Sequence, residues 1–152
     1  MKTLGKFIAL PLVVGIISAL FTMNSMKAFE MLNKPVLSPP GWLFPVVWTI
    51  LYILMGISSY LIYNSSASQK EKSEALTVYL IQLALNFLWP TFFFTFSWYW
   101  YSLIWLLVLW VAVVIMILKF YKISKPAAYI NIPYIIWLTF AAYLNYAIAV
   151  MN

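Results

Sequence analysis

The stretch Ala75–Leu118, ALTVYLIQLALNFLWPTFFFTFSWYWYSLIWLLVLWVAVVIMIL, runs for 44 residues without an Asp, Glu, Lys, Arg or His. A helix that crosses the hydrocarbon core of a membrane needs about 20 predominantly apolar residues. The stretch is too long for one crossing and holds two. Three further charge-free stretches flank it, at 7–26, 35–69 and 126–152. Each has room for one crossing, which gives five. A soluble domain of 152 residues would carry far more than 8% charged residues. Lipid is therefore the solvent against which most polar residues must be read.

Composition removes several function classes. The chain has no Cys and no His. Disulfides, thiol nucleophiles, Cys/His zinc sites and proximal-His haem ligation are thereby excluded. The net charge of +6 comes from lysines scattered between apolar runs. They read as topology signals, not as a phosphate-binding stripe, so no nucleic-acid partner is expected.

The apolar runs predict helices at about 5–25, 44–63, 75–96, 101–121 and 128–149, an all-α fold in a single domain spanning 1–152. None shows the period-2 alternation of a membrane β-barrel strand. Ser65–Lys72 is a polar hinge between the second and third spans, Ser97–Trp100 a weaker one, and Lys122–Pro126 separates the last two. Lys2, Lys6, Lys70, Lys72, Lys119, Lys122 and Lys125 fall on one side, and Lys27 and Lys34 on the other. The positive-inside rule then places the N-terminus in the cytoplasm, with the first loop and C-terminus outside. A cleaved signal peptide is the rival reading of the first span. Its apolar run is long for one, and Ser18-Ala19 forms a poor cleavage pair.

Four spans carry a face ill-suited to lipid. At helical spacing these faces are Pro11, Gly15, Ser18 and Thr22; Trp48, Tyr52, Met55 and Ser59; Gln82, Asn86, Trp89 and Phe93; and Tyr134, Trp137, Ala141 and Asn145. Together they describe an enclosed aromatic space with a few orienting amides and hydroxyls, the recipe for an apolar pocket. Helix–helix packing is the competing reading, because small residues and Asn/Gln also glue membrane helices together. Trp42, Trp98 and Trp100 suit an interfacial belt, while Trp105 and Trp110 lie mid-helix without an obvious polar partner. The first loop has Pro35, Pro39 and Pro40, which make it stiff and suggest a lid. Pro90 and Pro133 should bend or unwind their helices. No carboxylate, Lys or His lies at membrane depth inside a span, which argues against ion-coupled pumping. No acid–base, nucleophilic or metal-binding constellation is present either.

Three segments together are familiar: Lys34-Pro35 with Pro39-Pro40-Gly41-Trp42-Leu43-Phe44-Pro45-Val46-Val47-Trp48, Leu51-Tyr52 and Met55-Gly56; Gln82-Leu83-Ala84-Leu85-Asn86 with Trp89-Pro90; and Pro133-Tyr134 with Trp137, Phe140-Ala141 and Leu144-Asn145-Tyr146. Collinear over about half the chain, they resemble the TspO/MBR family, that of tryptophan-rich sensory proteins, translocator proteins and peripheral benzodiazepine receptors. The resemblance implies a five-helix bundle with a ligand pocket under the first loop. It implies binding of tetrapyrroles such as protoporphyrin IX, and of synthetic isoquinoline carboxamides and benzodiazepines. For some bacterial members it implies light-dependent degradation of the bound porphyrin. By motif position Trp48 and Trp137 correspond to pocket tryptophans, Asn86, Trp89 and Ala141 to pocket-lining positions, and Pro39 and Pro40 to the lid. Members often carry a Trp-Tyr pair before the Lys-Pro motif, where this chain has Ala28-Phe29. No basic residue follows Leu144-Asn145-Tyr146, so sterol recognition is not expected. Dimer-packing glycines of other members are Thr77 and Ile81 here. A homodimer remains the expectation, not necessarily by that face.

The expected function is binding of protoporphyrin IX in the membrane and promotion of its oxidative breakdown by light and oxygen. Trp48 and Trp137 would be the reactive indoles, and no cofactor or metal would be required. Tyr52, Phe93, Tyr134 and Asn145 complete the candidate ligand site from their helix faces. Transport of tetrapyrroles or other lipophiles, and regulatory stress sensing, are the alternatives. The expected location is a bacterial cytoplasmic membrane, since no mitochondrial address is visible.

Overall fold

A computed structural model describes residues 2–152, and the described residues are helical with no strand. The chain runs as α1 (Lys2–Thr22), a 3-10 turn (Met23–Ser25), α2 (Met26–Glu30), α3 (Leu43–Tyr63), α4 (Gln69–Pro90), a π turn (Thr91–Thr95), α5 (Tyr99–Ile123), α6 (Lys125–Ile130) and α7 (Ile132–Met151). Five helical segments are long and apolar enough to cross a membrane, with α6 and α7 forming the fifth. α1 packs on α3 and α4, α4 on α5, α5 on α7, and α6 joins α5 to α3. The five spans thus close into a ring.

Three boundaries differ from the sequence reading, each for a local reason. The third span begins at Gln69, inside the polar hinge, because Ser68 caps it. The Ser68 hydroxyl oxygen accepts from the Glu71 amide at 3.2 Å, and the hydroxyl lies 3.1 Å from the Glu71 carboxylate. This capping contact needs a Ser followed three residues later by Glu. At its other end α4 stops at Pro90 and the chain widens into a π turn, where the Phe96 amide bonds Thr91 O at 3.0 Å. Ser97 then takes a left-handed φ of 56°, uncommon outside glycine, and turns the chain into α5. The last span is broken at Asn131, two residues before Pro133, whose ring fits only the first turn of α7. The Asn131 side chain secures the break by donating to Ser58 Oγ (2.6 Å) and to Ala127 O (3.1 Å).

Two glycines set how closely α1 and α3 approach. A Cβ on Gly56 would lie 2.5 Å from the Ile8 Cα and 2.7 Å from Phe7 O. That is backbone against backbone, so no side-chain shift could relieve it. On the partner helix, a Cβ on Gly15 would overlap the Tyr52 ring. Small residues permit close approach of this kind in membrane bundles.

Candidate functional site

Beyond the Gly15–Tyr52 contact, the ends of α1 and α3 away from Gly56 bound an apolar cavity of about 540 Å³. Gly15, Ser18 and Thr22 line it from α1, and Phe44, Trp48 and Tyr52 from α3. Pro90 and Phe94 line it from the end of α4 and the π turn. Met23, Met26, Glu30, Gly41 and Trp42 line the part contributed by the first loop. Ile16, Ala19 and Thr49 are exposed as well as lining, so the cleft opens on the outer surface of the bundle. In a membrane that surface faces lipid. The volume falls within the range of small-molecule sites.

Trp48 is the organising side chain. Its indole stacks on Tyr52 (5.6 Å between centroids, 28° between planes) and meets Trp137 edge-on (6.4 Å, 90°). Phe44 holds Trp137 from a second side at 5.9 Å. The Trp137 Nε1 is buried and donates to nothing in the protein. A buried indole N–H normally finds an acceptor, so this one stands out.

Tyr52 connects the cleft to the bundle interior. Its hydroxyl donates to Asn86 Oδ1 (2.8 Å), Asn86 Nδ2 donates to the Tyr134 hydroxyl (2.7 Å), and Tyr134 donates to Gln82 Oε1 (2.7 Å). All four residues are buried. A second interior set starts at Trp89, whose Nε1 donates to Asn145 Oδ1 at 3.1 Å, while Asn145 Nδ2 donates to Tyr99 O at 2.8 Å. Trp89 stacks on Phe93 at 5.1 Å. Phe29, from α2, inserts among Phe44, Phe93 and Phe94 at 5.2–6.2 Å and is 2% exposed.

Of the residues singled out from sequence, Trp48 and Tyr52 therefore line the cleft. Asn86 and Tyr134 stand one hydrogen bond and two behind Tyr52, and Trp137 stands behind Trp48. Trp89, Phe93 and Asn145 belong to the second interior set, and Ala141 is buried on their side of α7. Pro39 and Pro40 precede Gly41 and Trp42 in the loop and do not line the cleft. The four inward faces read from the sequence do point inward: Pro11, Ser18, Thr22, Tyr52, Met55, Ser59, Gln82, Asn86, Trp89, Phe93, Tyr134, Ala141 and Asn145 are all buried. The mid-helix tryptophans have partners, Trp105 with Leu85 O at 2.7 Å and Trp110 with Thr139 Oγ1 at 2.9 Å. Sequence reasoning missed the lining by Phe44, Phe94 and Glu30. What brings them to the cleft is the approach of α1 to α3 at Gly15 and Tyr52, which no sequence spacing marks. Among the described residues no group of three or more His, Cys, Asp or Glu could hold a metal ion.

The sequence model of the TspO/MBR family matches residues 7–151. The chain belongs to the TspO/MBR family. It is 36% identical to the tryptophan-rich protein TspO of Chlorobaculum tepidum over 151 residues, 99% of this chain and 96% of the relative. It is 34% identical to the translocator protein of Bos taurus over 92% of this chain and 84% of the relative. To the tryptophan-rich sensory protein of Cereibacter sphaeroides it is 34% identical, over 82% of this chain and 76% of the relative. Five apolar spans and this membership make it a multi-pass membrane protein of the TspO/MBR family.

Proposed function

We propose that the chain binds tetrapyrroles such as protoporphyrin IX in the cleft between α1 and α3 and promotes their light-dependent oxidative degradation. Synthetic ligands of the benzodiazepine and isoquinoline type would share the site. The observation that carries this reading is an apolar cavity of about 540 Å³ walled by Trp48 and Tyr52, with Trp137 behind. Flat aromatic walls hold a flat apolar ring by stacking and by removing its surface from water. Bound, the porphyrin supplies light absorption and the transfer of energy or an electron to oxygen. The protein supplies position. Trp48 lies against the ligand, and Trp137 is the second indole, within 6.4 Å of the first. Holding reactants together lowers the barrier without an acid or base. The buried, unpartnered Trp137 N–H is a donor available to a ligand that displaces Phe44. The proline-bearing first loop would act as the lid. The protein would lie in a bacterial cytoplasmic membrane with its N-terminus inside, as a homodimer.

The test is light-dependent loss of protoporphyrin IX absorbance by purified protein, beside the Trp48→Phe/Trp137→Phe double variant and a dark control. Bleaching by the unaltered protein alone, with porphyrin still bound by both, is expected. Equal bleaching by the double variant would remove the roles given to the two indoles.

Passage of lipophiles through the membrane is a second reading. The lateral opening of the cleft favours it, as does the name of the Bos taurus relative, a translocator protein. Porphyrin flux into proteoliposomes, beyond what binding accounts for, would select it.

A further inference from the structure

The chain has three acidic residues, Glu30, Glu71 and Glu74. Glu71 caps α4 with Ser68, and Glu74 lies on the exposed first turns of α4. Glu30 has no such role. It ends α2 at the rim of the cleft, and it is the only charged side chain among the lining residues. One of its carboxylate oxygens would lie 3.3 Å from a Cβ placed on Gly41, so the carboxylate rests on the bare backbone beside Trp42. Lys34, four residues on, is engaged elsewhere. Its ammonium donates to the main-chain carbonyls of Phe29 (3.1 Å) and Glu30 (2.8 Å), at the C-terminal end of α2, and sits 4.9 Å from the Phe29 ring centroid. Lys27, on α2, is exposed and does not line the cleft. The Glu30 carboxylate therefore has no ion-pair partner among the described residues.

A lone carboxylate on the rim of an apolar cavity acts over a medium of low polarizability, where a charge is felt more strongly than in water. Beside it the exposed Trp42 and the half-buried Trp48 offer indole faces, which attract cations and not anions. Carboxylate and indoles favour the same sign of ligand. We propose that Glu30 sets the charge preference of the cleft: a flat apolar ligand is favoured when it carries an ammonium group at the rim and disfavoured when it carries a carboxylate there. The inference rests on the reading of the cleft as a ligand site, and it deepens that reading by naming the ligand class. A protoporphyrin would enter with its two carboxylates directed away from Glu30.

The experiment compares three forms of one macrocycle: protoporphyrin IX, its neutral dimethyl ester, and a diamide bearing two protonated amines. Each is titrated into the detergent-solubilised protein and into Glu30→Gln and Glu30→Lys variants, followed by quenching of tryptophan fluorescence. Near-ultraviolet circular dichroism checks that all three proteins are folded. Glu30→Gln should weaken the dication about fivefold and tighten the dianion by a similar factor, leaving the ester unchanged. Glu30→Lys should widen the contrast, and added salt should shrink it. Affinities that move together for all three ligands, or do not move, overturn the proposal. If no porphyrin binds the unaltered protein, the tetrapyrrole reading fails by itself. The charge rule is then decided by anthracenylmethylammonium against anthracene carboxylate: preference for the amine, lost in Glu30→Gln, supports it, and binding of neither overturns it.

Discussion

The α1–α3 cleft and the interior between α4, α5 and α7 are built from the same residue types and do opposite things with them. In the interior Trp89 finds Asn145, Trp105 finds Leu85 O, and Asn145 passes a bond on to Tyr99 O. These three donors are matched to acceptors, and the neighbouring space is filled by Phe29 and Phe93. In the cleft Trp48 packs against Tyr52 and Trp137 through ring faces and edges, and the Trp137 N–H is left without a protein acceptor. An aromatic, amide-dotted helix face in a membrane protein therefore does not by itself denote a pocket. What separates pocket from packing is whether a neighbouring helix stands close enough to fill the volume.

The largest effect that can break this comparison is expected at Gly56, which fixes the closed half of the α1–α3 pair. Gly56→Leu drives a side chain into the Ile8 backbone. It should cost about 3 kcal/mol or more, as overpacking against an unyielding neighbour does. Thermal unfolding in detergent should show a large fall in Tm or failure to recover folded protein. An unchanged Tm would mean that the two helices are not held as described.

The interior network comes next. Asn86→Leu removes the acceptor of the Tyr52 hydroxyl and the donor to Tyr134, leaving buried hydroxyls poorly matched. A loss of about 1–3 kcal/mol in stability is expected. A double-mutant cycle with Tyr134→Phe should show coupling between the two positions. Trp48→Phe keeps an aromatic ring in the cleft and should change stability less than Asn86→Leu, while weakening porphyrin binding more. The reverse order would place the ligand in the interior.

The smallest effect belongs to Trp110, whose N–H meets the exposed Thr139 hydroxyl at the rim of the bundle. Trp110→Phe should cost about 0.6 kcal/mol, the usual worth of an interhelical hydrogen bond in a membrane. Porphyrin titration and unfolding measured together would show the cost confined to stability.

Much of the fold was legible because membrane spanning leaves a coarse trace: charge-free length and inward faces spaced at helical intervals. The Pro11–Gly15–Ser18–Thr22 face was visible because three small or hydroxyl residues and a proline share one side of an otherwise aliphatic helix. The π turn after Pro90 and the short α2 were not visible. Nothing in Thr91–Thr95 distinguishes a wider turn from continued helix, and a five-residue helix leaves no periodicity to read. The site was half legible for a related reason. Trp48 and Tyr52 share a face at helical spacing, but the direction in which that face opens depends on how closely α1 approaches. Gly15 and Gly56 set that approach, by three-dimensional proximity to Tyr52 and to Ile8 that sequence spacing does not encode. Phe29 likewise enters the interior from the short α2, whose path no periodicity predicts.

The most direct test of where ligands bind exploits the absence of cysteine from the chain. Single cysteines at Met23 and Thr49 would line the cleft, and one at the exposed Trp100 would lie outside it. Thiol modification by a small maleimide would be timed with and without saturating protoporphyrin IX. Occupancy of the α1–α3 cleft predicts that porphyrin slows modification at Met23→Cys and Thr49→Cys and leaves Trp100→Cys unchanged. Bound porphyrin with no protection at either cleft position would contradict the account and move the ligand elsewhere in the bundle.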